Sequence, residues 1–241
     1  MKQITAVLLT LILCLSILSG CRQVVSSGTI DAVETEPLDQ QTEVQTQEEK
    51  DVTALLDIND IPDANLLEID VDYQSAEPTE GEEVAILHTS MGDIAFRFFV
   101  EVAPKAVYSF KALAQDGRYD NTIFHRIIEN FMIQGGDYTN FNGTGGVSAY
   151  GDGFGLEISD YLHNTRGAVA MANTGQPDSN GSQFYINQVD NNYLDGNYTV
   201  FGQVYDGMDV VDAIAAVDTD ASDKPVEDVV LQSVEIVPYQ G

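Results

Sequence analysis

Basic side chains are scarce in this sequence: 10 Lys and Arg stand against 39 Asp and Glu, a formal net charge of −29 over 241 residues. The stretch through Glu83 has 18 acidic and 3 basic residues, net −15, and the remainder has 21 and 7, net −14. So negative a surface repels phosphate backbones and anionic headgroups, which argues against a nucleic-acid partner or a polybasic membrane patch. Cysteine is nearly absent as well, with only Cys14 and Cys21. The three histidines, His88, His125 and His163, form no metal-ligand spacing with each other or with either cysteine, so no zinc site is expected. Long apolar runs are also missing. The longest, from about Ile4 to Leu18, falls short of the roughly 20 residues that a spanning helix needs.

That run follows Lys2 and ends at Leu18-Ser19-Gly20-Cys21, the arrangement of a secretory signal (1–20) with small residues before a cysteine. It resembles a bacterial lipobox, in which Cys21 is acylated and becomes the new N-terminus. On that reading Cys14 leaves with the signal, and Cys21 anchors an exported protein to the extracytoplasmic face of a membrane. No thiol then remains for a disulfide, so packing alone holds the fold. Residues 21–83 read as an acidic, largely disordered tether. TEPLDQQTEVQTQEEKD (35–51) is too polar to bury enough surface to offset its ordering entropy. At about 5–6 Å × √n, such a tether reaches about 40–45 Å. LLDINDIPDANLLEIDVDY (55–73) is more apolar; the alternative for it is packing against the domain or a short hairpin.

Order is expected from Val84 to the end of the chain. EVAILHTSMGDIAFRFF (83–99) has two β-rich runs around a glycine-containing turn. APKAVYSFKALAQDG (103–117) has Pro104 for a first helical turn, an apolar stripe and Gly117 for the cap. Short strands follow at 122–128, 131–134, 167–172, 182–187 and 199–204, then a helix at 207–217 and a closing strand at 226–237. Many short strands, two helices and Gly-rich loops predict a closed or nearly closed antiparallel barrel with helices at its ends. Met171 and Phe201 read as core.

One stretch is odd. FHRIIENFMIQGGD (124–137) keeps Arg126 among Phe124, Ile127, Ile128, Phe131 and Met132. A guanidinium in apolar company needs an acceptor, either an ion-pair partner such as Glu129 or Asp137 or a ligand. Alternation puts Arg126 on one face with Phe124 and Ile128; in SQFYI (182–186) it puts Gln183 with Tyr185, opposite Phe184 and Ile186. An arginine, amides and aromatic rings converging on one side of a barrel make a greasy slot with fixed donors at its edge. His125 reads as a satisfied barrel or rim residue rather than a general base. NGTGG (142–146) lacks the Gly-Lys-Ser/Thr of a phosphate loop and reads as a close turn. DTDASD (218–223) lacks a calcium loop's glycine and distal glutamate and reads as a solvated turn.

Four segments together resemble the signature of the cyclophilin family of peptidyl-prolyl cis-trans isomerases: FHRIIENFMIQGGD, NGTGG, GAVAMANTGQPDSNGSQFYIN (167–187) and YLDGNYTVFGQV (193–204). The resemblance spans about residues 84–238. It implies a mainly β fold, a closed eight-stranded antiparallel barrel capped by two α-helices. It also implies a catalytic Arg126, a proline pocket of Phe131, Met132, Tyr185 and Leu194, and groove residues Gln134, Ala172, Asn173 and Gln183. Tyr198 stands where the family usually has a groove histidine, Tyr193 where it has a tryptophan, and Tyr185 where it has a second phenylalanine; Glu129-Asn130 replaces a frequent Pro-Gly. The implied activity is rotation about X-Pro bonds in exported or surface proteins, by a monomer acting on proline-containing polypeptides without cofactor or metal. A non-catalytic module that holds proline-containing segments of a surface partner is the alternative.

Overall fold

The structure, a computed structural model, describes residues 53–65, 69–70 and 72–241. The signal segment, both cysteines and the tether up to residue 52 lie outside the described residues. No helix among the described residues is long and apolar enough to cross a membrane.

In chain order the elements are β1 (Glu83–Thr89), β2 (Gly92–Phe98), α1 (Pro104–Gln115), β3 (Thr122–Ile123), β4 (Arg126–Ile128), β5 (Met132–Gly135), β6 (Ala168–Met171), β7 (Phe184–Asn187), β8 (Val200–Asp206), α2 (Met208–Ala215) and β9 (Val230–Pro238). The nine strands form one antiparallel sheet in the order β3-β9-β1-β2-β8-β6-β7-β5-β4. This corrects the expected eight-stranded closed barrel. The sheet has nine strands, and its two ends are β3 and β4, consecutive in sequence, with no ladder between them among the described residues.

The extra strand arises because 122–128 is not one strand. Phe124 donates its N–H to the Val229 carbonyl at 3.0 Å, whereas Ile127 donates to the Asp223 carbonyl at 2.8 Å. The chain changes neighbours between them, and simple alternation fails there. Phe124 is fully buried in the main core beside Ile127, while Arg126 and Ile128 face outward.

The main core is aromatic. Phe110 of α1 lies 5.4 Å from Phe96, 5.4 Å from Phe184, 5.5 Å from Phe201 and 4.9 Å from Tyr119, centroid to centroid. Met171 and Phe201 are both in it, as expected. A second, smaller cluster lies on the outer face and includes Met132, Ala170, Tyr185 and Val200.

The N-terminus of α1 is capped from a distance. Its N-cap residue, Ala103, has no side-chain acceptor. Glu157 instead accepts the N–H groups of Lys105 at 3.0 Å and Ala106 at 2.9 Å, satisfying donors that every helix start leaves open.

Packing against the sheet begins well before Val84. Leu55 and Leu56 both donate to the Ala149 carbonyl, and Leu56 and Ile58 rest on the main core. Tyr73 packs on Phe99 at 5.1 Å. Arg97, almost fully buried, donates to Glu82 at 3.0 Å and to the carbonyls of Tyr73 and Ala76 at 3.2 and 3.0 Å. The described part of 53–83 is therefore a strap on the sheet rather than a free tether, because a buried guanidinium on β2 takes its acceptors from it.

Candidate active site

The ladder register assembles the site. Arg126 on β4 pairs with Gln134 on β5, Gln134 with Tyr185 on β7, and Tyr185 with Ala170 on β6. These four side chains form one row across the outer face, and the small Ala170 leaves room at its far end. Met132 lies two residues from Gln134, so it shares that face while Ile133 turns into the core.

Above this row is a cleft of about 120 Å³ lined by Arg126, Phe131, Met132, Gln134, Ala172, Asn173, Tyr185, Leu194 and Tyr198. Every residue that the sequence placed in the site lines it except Gln183 and Cys21. Gln183 lines the adjoining cavity, with Gln134, Ala172, Asn173 and the 143–147 loop. Cys21 lies outside the described residues.

Within the cleft the apolar walls are Phe131, Met132, Leu194 and the ring of Tyr185. The Tyr185 ring meets Tyr198 edge-on at 5.7 Å, and its hydroxyl donates to Asn164 at 2.7 Å. Burial pushes that hydroxyl's pKa up, so it stays a neutral donor. Asn164 is held in turn by Asp195, which accepts its N–H at 2.7 Å and its amide at 3.0 Å and also contacts His163 at 2.9 Å. Tyr193 is 71% exposed at the rim and stacks on Phe131 at 6.2 Å.

The polar edge is fixed by amides. Gln134 donates to Gln183 at 3.0 Å, and Gln183 donates to the carbonyls of Gly143 and Gly145 at 2.9 and 2.8 Å. The Asn173 side chain is pinned to Asn197 and Gly175, while its backbone N–H and C=O make no hydrogen bond among the described residues. An extended backbone laid along the groove can pair with them.

The 142–146 loop closes around Asp137. This fully buried carboxylate accepts backbone N–H groups from Thr139, Asn140, Asn142, Gly143 and Gly145 at 2.9–3.2 Å. Burial alone would raise its pKa; the donors from Asn140, Gly145, Asn142 and Gly143 outweigh that and hold it below the ordinary range. A Cβ at Gly145 would lie 2.0 Å from the Thr139 hydroxyl, and Gly143 has φ +87°, so both glycines are required. The turn reading of NGTGG holds for a physical reason: a resident carboxylate already fills its amide nest.

His125 is buried beside Gly143, and neither ring nitrogen meets hydrogen-bond geometry among the described residues, which corrects its reading as a satisfied residue; burial, the largest influence, drives its pKa down. Arg126 is different. Its side chain remains 42% exposed, and its one carboxylate neighbour among the described residues is Asp223, with Nε 3.5 Å from Oδ2. The candidate partners near in sequence, Glu129 and Asp137, do not hold it. Asp223, Asn164 and Asp195 escaped the sequence reading: Asp223 sat in a stretch read as a plain turn, Asn164 lies just outside the 167–187 segment, and Asp195, inside YLDGNYTVFGQV, had no role assigned to it.

Residues 84–236 match the family described as cyclophilin type peptidyl-prolyl cis-trans isomerase/CLD. The chain belongs to that family. Peptidyl-prolyl cis-trans isomerase CYP18-1 of Arabidopsis thaliana is 46% identical over 151 residues, 62% of this chain and 93% of that protein. Peptidyl-prolyl cis-trans isomerase 9 of Schizosaccharomyces pombe is 48% identical over 156 residues, but the match spans only 25% of that longer protein, as it spans 39% of a putative bifunctional phosphatase/peptidyl-prolyl cis-trans isomerase of Streptococcus pyogenes. Among solved structures, a Cryptosporidium parvum cyclophilin crystallised with the dipeptide Ala-Pro is similar, with TM-score 0.62 and 37% identity over 66% of this chain and 99% of that one. The cyclophilin fold is thus the frame that carries the row from Arg126 to Ala170.

Proposed function

We propose that this chain is a peptidyl-prolyl cis-trans isomerase in which Arg126 is the catalytic group. The observation that carries the reading is the half-exposed Arg126 guanidinium on the wall of a small cleft whose apolar side is Phe131, Met132 and Leu194. Amide resonance sets a barrier of about 18–20 kcal/mol against rotation of an X-Pro bond. No covalent step is needed; the site has only to bind the twisted amide better than either planar isomer. As the bond twists, the proline nitrogen regains a lone pair. A permanently charged, planar donor beside that nitrogen stabilises the twisted form selectively. Phe131, Met132, Leu194 and Tyr185 grip the ring, while Gln134, Ala172, Gln183 and the Asn173 backbone hold the flanking chain, so rotation falls on a single bond. Tyr198 closes one edge.

The wider setting proposed is an exported folding catalyst, a monomer anchored through lipid on Cys21. Its support is the sequence Leu18-Ser19-Gly20-Cys21 after a short apolar run. Isomerisation of an Ala-Pro peptide, followed by NMR exchange, tests the activity. The wild-type chain is expected to accelerate exchange, and Arg126→Ala to lose about 10²-fold in turnover with its fold intact. Turnover in that variant equal to wild type removes Arg126 from the mechanism. Measurable peptide binding with background exchange in the wild type points instead to a binding module.

A further inference from the structure

The loop between α2 and β9 is built to deliver one carboxylate to Arg126. Asp220 organises it, accepting the N–H groups of Ser222 at 2.7 Å and Lys224 at 3.1 Å. The turn leaves Asp223 left-handed at φ +63°, a conformation that only a few per cent of non-glycine residues adopt. Asp223 is then fastened twice. Its carbonyl accepts the N–H of Ile127 at 2.8 Å, the residue that follows Arg126 on β4. Its carboxylate lies 3.5 Å from the Arg126 Nε. The terminal amino groups of Arg126 make no protein hydrogen bond among the described residues.

We propose that Asp223 is a positioning residue for proline isomerisation, its carboxylate drawing the guanidinium by charge on the Nε side and leaving the terminal amino groups for the substrate amide. The proposal rests on the isomerase reading given above. A strained residue held by two elements at a cleft is where stored conformation serves function. The pair is half exposed on both sides, so its contribution to stability is small and does not explain why the loop is built this way. A long arginine on an outward face samples several rotamers; fixing one end of its rigid fork removes most of them. Small displacements of a catalytic group carry large rate penalties. Because the arginine acts mainly on the twisted amide, losing the clamp lowers kcat and leaves KM nearly unchanged.

Two substitutions suit the left-handed backbone and separate the possibilities. Asp223→Gly removes the side chain; Asp223→Asn keeps its shape and removes the charge that pairs with Arg126. In the full chain, Asp223→Gly and Asp223→Asn are both expected to lower kcat about tenfold with KM within about twofold, because each removes the charge that draws the guanidinium. The Arg126→Ala/Asp223→Gly double variant should be no slower than Arg126→Ala alone, because the second residue acts only through the first. Wild-type kcat in Asp223→Gly, or additive losses in the double variant, overturn the proposal while leaving the isomerase reading intact. A wild-type chain without isomerase activity fails the underlying reading instead.

Discussion

Removing the strap by starting the chain at Val84 is expected to destabilise the domain through one side chain, Arg97. The guanidinium is 8% exposed, and cutting there removes all three of its hydrogen-bond acceptors, on Glu82, Tyr73 and Ala76, together with the Tyr73 ring 5.3 Å from it. Breaking a buried ion pair by deleting one partner costs about 3–5 kcal/mol. Water reaches the uncovered group, which places the loss at the lower end, about 3 kcal/mol. Chain entropy regained by releasing the strap offsets its apolar contacts, yet returns no acceptor to Arg97. In a domain of this size each kcal/mol moves Tm by about 2–4 °C, so the expected fall is about 6–12 °C. The comparison is thermal and urea unfolding of 53–241, 84–241 and 84–241 carrying Arg97→Met. Methionine needs no acceptor, so it should recover most of the loss. A truncated domain within 2 °C of the longer one, or no recovery with methionine, refutes the assignment of Arg97 as the strap's main anchor.

Other expectations concern the cap, the pocket floor and acid stability. Glu157→Ala should cost about 1–2 kcal/mol by leaving the Lys105 and Ala106 N–H groups open, with Glu157→Gln partly restoring it, measured by urea unfolding. Tyr185→Phe keeps the ring but strips Asn164 of its 2.7 Å donor, so stability should fall by about 1–2 kcal/mol while kcat/KM changes by less than about threefold. The depressed pKa of buried His125 means that the unfolded chain takes its proton first. Its contribution is complete above the ordinary imidazole range and declines as pH falls below about 6.5, so unfolding free energies of wild type and His125→Gln should converge between pH 7.5 and 5. Asp137, held below the ordinary carboxylate range, contributes fully above about pH 4 and loses that contribution only as pH falls through its folded value; Asp137→Asn should flatten the acid limb of the stability curve.

Much of this could be read along the chain because it depends on neighbours in sequence. The β1–β2 hairpin, α1 with Pro104 in its first turn, and the opposition of Tyr185 to Phe184 all follow from local periodicity and turn chemistry. The site residues were legible as a set because they fall in three short segments, and for Met132, Gln134 and Tyr185 strand alternation fixes which way the side chain points. Phe124 shows where that logic stops. It turns into the core because its N–H pairs with Val229, about a hundred residues away, and no local pattern announces the change of partner.

By itself, then, the primary structure determined both helices and most of the strands, the lopsided charge, and the set of chemistry-bearing side chains in the cleft. Tertiary structure alone decided that the sheet of the described residues has nine strands, with no ladder between β3 and β4, that Glu157 caps a helix from about fifty residues away, that the strap packs on the sheet, and that Asp223 meets Arg126. The reason is common to all four. Each depends on a buried donor or acceptor meeting a group distant in sequence (for the half-exposed Asp223–Arg126 pair, the Ile127 N–H bonded to the Asp223 carbonyl), and that demand exists only once the chain has folded and water has been removed.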